Sequence, residues 1–232
     1  MSNVIVTGPG KCGGSLLMKI LTELDIDTGF PKGRKFEKTN GDCGGHYEKK
    51  VRGSGVKRPL PYVIKEPQMC ADIDLRIEAL KLDVDMVYIL LRRPGPQAAA
   101  LEFMKSRTRG GSLSRHDPYK KWFERSLNGR DLEKMTEAIA TRELQIVNLV
   151  AELDVPHTLV SYPRFASDLD YAYSKFGFIL KKHGISKDKF KEVCDECINS
   201  DIVDAAYNDM PEWYRAAMRE AWNFRPRVKR GF

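Results

Sequence analysis

The sequence predicts an α/β protein: three layers, with a central parallel sheet of four to five strands, helices on both faces and a helical carboxy-terminal region. Three observations carry that expectation. Short apolar runs alternate with segments of helical period, the order expected of a parallel sheet with crossover helices. The run DMVYILLRRP at 85–94 is unbroken in its apolar part, as a strand buried on both faces must be. From 185 onward no strand-like run occurs, only helical spacing and a basic tail.

The elements follow in order. NVIVT at 3–7 reads as a short buried strand, and Leu16, Leu17, Ile20, Leu21 and Leu24 then recur on one helix face. From 27 to 61 the chain is polar and rich in glycine and lysine, with NGDCGGH and RGSG as turn signals, so a long loop, mobile until something binds, is expected. YVIKEP at 62–67 is a second strand closed by Pro67, and ADIDLRIEALKL a short helix. After the third strand, GPQAAALEFMKSR reads as helical, with Pro96 tolerated in its first turn. Met135, Ile139, Ile146, Val147 and Val150 predict a long helix over 131–153, and PHTLVSYPRF a fourth strand. Leu169, Tyr173, Phe176 and Leu180 line a helix that stops near Gly184; SKDKFKEVCDECI and PEWYRAAMREAWNF complete the series. With no repeat or composition break, residues 1–232 read as a single domain, in which 27–61 and 105–130 are substrate or cofactor loops and 185–232 is a helical extension.

Composition narrows the function classes. The longest apolar runs fall well short of the roughly 18 residues that cross a bilayer, and the amino terminus does not read as a secretory signal, so a cytoplasmic protein is expected. Five cysteines, an odd and scattered set, argue against a disulfide framework. Cys194 and Cys197 form a CxxC, but without a second pair or paired histidines they read as residues of one helix face, and no metal site is expected. The net charge of +7 is concentrated in 105–130, which holds eight Lys or Arg, and in the tail NFRPRVKRGF, which holds four. Two such blocks attract phosphates, sulfated compounds or other polyanions, although each residue taken singly also suits a solvated face.

The chemistry lies in VTGPGKCGGSLL, between the first strand and the first helix. Such a turn aims backbone N–H groups and the positive end of a helix dipole at one point, which makes it a phosphate site. Against the nucleotide-hydrolase pattern G-x-x-x-x-G-K-[ST], Gly8, Gly13 and Ser15 stand in register, but Gly14 occupies the lysine's place. The nearby cation is Lys11, inside the loop.

The stretch resembles the 5′-phosphosulfate loop of P-loop sulfotransferases, G-x-P-[RK]-S-G-T-[ST], in which the cation stands three residues after the first glycine, as Lys11 does. VIKEP is similar to that family's second-strand end, VYILLRRP to the strand whose arginine contacts a 3′-phosphate, and LVSYPRFASDLDYAYSKFGFIL to its "vrYEdL" segment. The loop departs from the family pattern at Gly10, Cys12 and Gly14, and Ala100 stands where the family has a phosphate-binding serine. The resemblance implies a P-loop fold and an enzyme that transfers a sulfuryl group from 3′-phosphoadenosine-5′-phosphosulfate (PAPS), leaving 3′-phosphoadenosine-5′-phosphate (PAP). It implies a nucleotide donor held by Gly8, Gly10, Lys11, Cys12, Gly13, Gly14, Ser15 and Arg92, with Lys11 stabilising the sulfuryl group.

Transfer to a hydroxyl or amine needs a proton acceptor. Glu66 is the first candidate, at the end of the second strand; His46 is second and His116 third, each equally readable as an ordinary surface residue. Lys65 either orients an acceptor or caps its strand, and Tyr162 reads as packing beneath the loop. The acceptor is unidentified, and the basic segments suggest an anionic one. Two alternatives stay open: a P-loop kinase of a small molecule or nucleotide, and a non-catalytic relative that grips a polyanion. For nucleic acid the sequence offers neither a stacking motif nor a recognition helix.

Overall fold

The computed structural model describes residues 2–9, 12–33, 60–65, 72–92, 130–162 and 164–199, with the backbone alone for 130–135 and 199. Four strands, β1 (Asn3–Thr7), β2 (Val63–Lys65), β3 (Val84–Leu91) and β4 (His157–Ser161), form one parallel sheet in the order β2-β1-β3-β4. The helices are α1 (Gly14–Glu23), α2 (Ile73–Leu80), α3 (Arg130–Glu152), α4 (Arg164–Ser167), α5 (Leu169–Lys175), α6 (Gly177–Lys182) and α7 (Lys187–Asn199). The expected helices in GPQAAALEFMKSR and PEWYRAAMREAWNF, most of the basic block at 105–130 and the basic tail lie outside the described residues.

Side-chain alternation along the strands builds two cores, one on each face. Val4, Val6, Tyr88 and Leu90 meet Leu17, Met18 and Leu21 of α1, together with Phe176, Leu180, Phe190 and Val193 from α5 to α7 and their junctions. Ile5, Val87 and Ile89 point the other way, onto Ile73 of α2 and Ile146 and Val150 of α3. This is the predicted three-layer arrangement: a run apolar at every position suits a strand covered on both sides. The CxxC cysteines of α7 lie on its buried face toward α1, and burial pushes the Cys197 thiol up to about 11, so it stays protonated and inert.

The helix expected over 169–184 is two helices joined at Phe176, with a four-residue helix before them. The i→i−4 bonds run on through the junction, Phe176 N–H to Ala172 O (2.9 Å) and Leu180 N–H to Phe176 O (3.0 Å), so the apolar face stays aligned. The fully buried Phe176 packs against Tyr88, Phe165 and Phe190, while Gly177 next to it favours helix weakly. Gly184, at φ 66, ends α6 with Ile185 N–H bonded back to Leu180 O (2.8 Å), the stop that the glycine predicts.

The ends of the 27–61 segment are pinned together. Asp27 accepts Val63 N–H on its carbonyl (2.8 Å) and Tyr62 N–H on its carboxylate (3.0 Å), at the amino-terminal edge of the sheet. Residues 34–59 lie outside the described residues.

Candidate functional site

All four strands run the same way, so their carboxyl ends meet at one edge, and each delivers one group there: Gly8 after β1, Lys65 of β2, Arg92 after β3 and Tyr162 after β4. The chain leaves β1 toward β2 on one side and later returns past β1 to β3, so the switch point lies between β1 and β3, where such sheets bind ligands.

Gly8 lies at that switch point. Its φ is 147, and a Cβ would stand 2.3 Å from the Leu90 carbonyl oxygen, so only glycine lets the loop leave β1 beside β3. Gly13, at φ 81, precedes α1 as its cap residue, and a Cβ there would lie 2.5 Å from Cδ2 of Tyr162. Among the described residues no side chain caps α1 and no acid stands in its first turn, which leaves the positive end of its dipole facing the loop. Cys12 turns its side chain into the apolar core.

Lys65 is 6% exposed, and its Nζ donates to Ser15 Oγ at 3.1 Å, bringing an ammonium to the first turn of α1. Gly14 makes the approach possible, since a Cβ there would come within 3.1 Å of Lys65 Cε. The site that lacks the hydrolase loop's own lysine therefore receives one from the neighbouring strand. An anion at this point would be stabilised by the helix terminus and the ammonium together.

Arg92 lies with its guanidinium carbon 5.3 Å from the centroid of the Tyr162 ring, a cation–π distance. Tyr162 packs between that cation, Phe165 (5.6 Å between centroids) and Gly13, beneath the loop. Burial pushes its phenol pKa up, against the pull of the Arg92 charge. Tyr162 N–H donates to Leu91 O (2.8 Å), prolonging the β3–β4 pairing past the last ladder residue.

Glu143 of α3 was not singled out by the sequence reading. Its carboxylate accepts the backbone N–H of Arg92, while its Oε1 is buried and without a hydrogen-bond partner; burial pushes its pKa up despite that bond. A signal was there: Glu143 stands on the Ile139–Ile146–Val150 stripe, where a carboxylate among buried apolar residues is unusual.

Of the predicted site residues, the structure brings Gly8, Cys12, Gly13, Gly14, Ser15 and Arg92 to this edge. Gly10, Lys11, Glu66, His46 and His116 lie outside the described residues. Among the described residues, no group of three or more His, Cys, Asp or Glu could hold a metal ion, and no helix is long and apolar enough to cross a membrane.

No protein-family model matches the sequence, and no curated protein matches it. Among solved structures, the chain is similar to a sulfotransferase from Alicyclobacillus acidocaldarius, with a TM-score of 0.41 and 16% identity over 81% of this chain and 83% of that one. A likeness of that extent says nothing of substrate, so the chemistry of this chain has to be read from its own residues.

Proposed function

We propose that the protein is a sulfotransferase of one domain, transferring a sulfuryl group from PAPS to a hydroxyl or amine acceptor. The observation that carries this reading is the Lys65 ammonium at Ser15 on the uncapped first turn of α1, through the space left by Gly14. A magnesium-dependent nucleotide hydrolase has a lysine directly after the loop's second glycine; here that place is Gly14, and the ammonium beside Ser15 comes from Lys65 at a strand end. The order of motifs in the sequence agrees with it.

In this reading Gly8, Gly10, Cys12, Gly13 and Gly14 offer backbone to the 5′-phosphosulfate, Ser15 adds its hydroxyl, and Arg92, oriented over Tyr162, takes the 3′-phosphate. When bound, the donor supplies an activated sulfuryl group, whose bond to the bridging oxygen breaks as the acceptor's bond to sulfur forms. Lys65 and Lys11 stabilise the charge that gathers on the departing phosphate, a contribution already oriented before reaction. Glu66, or else His46 or His116, takes the acceptor's proton.

Calorimetry and thermal shift with PAP test the donor site, and transfer of a labelled sulfuryl group to a panel of hydroxyl and amine acceptors tests the activity. PAP should bind and raise the melting temperature. Lys65→Met and Lys11→Ala should each fold and lower transfer about a hundredfold or more. A folded wild-type protein without affinity for PAP would refute the proposal, and binding of ATP–magnesium with phosphoryl transfer would replace it by the kinase alternative.

A further inference from the structure

We infer that Glu143 is a positioning residue for Arg92: by holding the arginine's backbone at the end of β3, it sets the guanidinium over Tyr162 for an incoming phosphate. The inference rests on the donor-site reading above and names a residue which that reading does not require.

The end of β3 is held from two sides. Tyr162 N–H, just past β4, engages Leu91 O at 2.8 Å, and the Glu143 carboxylate from α3 accepts the next N–H, that of Arg92. Both come from outside β3, and both act where the ladder has run out, since Leu91 is the last residue of β3 paired to β4. With both groups engaged, the peptide that carries Arg92 has little freedom, and its side chain leaves at a defined angle onto the Tyr162 ring. The same ring abuts Gly13 at the start of α1. A continuous set of contacts thus joins α3, Arg92, Tyr162 and the phosphate loop.

The chemistry of Glu143 supports an assigned task. A buried carboxylate oxygen without a donor is costly, and an apolar residue on this stripe would fill the space between Ile139 and Ile146 without that cost. What a carboxylate adds, and an apolar residue lacks, is an acceptor for Arg92 N–H.

The test compares wild type with Glu143→Gln, which keeps an acceptor, and Glu143→Met, which keeps the stem and removes it, each also combined with Arg92→Ala. The probe is PAP, by calorimetry. Glu143→Met should weaken binding about tenfold, the effect of one lost buried hydrogen bond, and Glu143→Gln by less than about threefold. In the Arg92→Ala background, Glu143→Met should change nothing further. Unchanged affinity in folded Glu143→Met, or a loss that persists without Arg92, overturns the inference while leaving the donor site standing. A wild-type protein that does not bind PAP overturns both. Should Glu143→Met fail to fold, the amide resonance of Arg92 decides. It should titrate in wild type, with a midpoint raised from that of an ordinary glutamate, and stay flat in Glu143→Gln; a flat wild-type profile counts against the assignment.

Discussion

Gly14 stands where the hydrolase pattern has a lysine, and its missing side chain is what admits Lys65. Gly14→Ala should therefore leave the fold intact, because alanine suits a helix better than glycine and the nearest atom is the flexible Lys65 stem. It should weaken PAP binding, because a Cβ 3.1 Å from Cε displaces the ammonium from Ser15. Thermal melting beside calorimetry separates the two effects. Gly8→Ala should do the reverse: its Cβ meets a backbone carbonyl at 2.3 Å, which cannot swing aside, so the melt should show a loss of about 3 kcal/mol or more. Both glycines stand at positions of the strand-to-helix turn that the sequence singles out. The end point of Lys65 could not, since its side chain serves a hydroxyl 50 residues away and the strand-end spacing equally suits a simple cap.

Helix and strand boundaries were largely legible, because apolar period and turn residues act over a few positions. The long helix α3 runs from Arg130 to Glu152 against an expected 131–153, and β1 coincides with NVIVT. The break at Phe176 was hidden, because the apolar spacing continues through it while packing against three aromatic rings decides the local geometry. At the start of α5, Asp168 Oδ1 accepts Tyr171 N–H at 2.9 Å, an N-cap. Asp168→Ala should cost about 1 kcal/mol in urea denaturation and leave PAP affinity unchanged. Its ion pair with Arg164 is exposed and adds little to that figure.

Across the whole molecule, the sheet separates two polar edges. At the edge opposite the glycine-rich loop, Asp85 of β3 accepts from Ser2 (2.8 Å), Tyr62 (3.0 Å) and Lys182, tying the starts of β1 and β2 to the end of α6. Burial works against the charged carboxylate, but these three hydrogen bonds outweigh it and hold Asp85 below its ordinary pKa. A carboxyl with a lowered folded pKa stabilises the fold above its unfolded value of about 3.9 and loses that contribution as pH falls through the folded value. Asp85→Asn should therefore cost about 1 kcal/mol at neutral pH, with the gap from wild type closing as pH drops below the carboxylate range, read from urea midpoints. By itself the sequence determined the alternation of strands and helices, the burial of the sheet on both faces and the glycine turn before α1, because each follows from local period and turn chemistry. The strand order β2-β1-β3-β4 was a tertiary decision. So were the meeting of Lys65 with Ser15, of Arg92 with Tyr162 and of Glu143 with the end of β3. The physical reason is that these groups come from different strands and helices, and only the packing of a parallel sheet places their ends side by side.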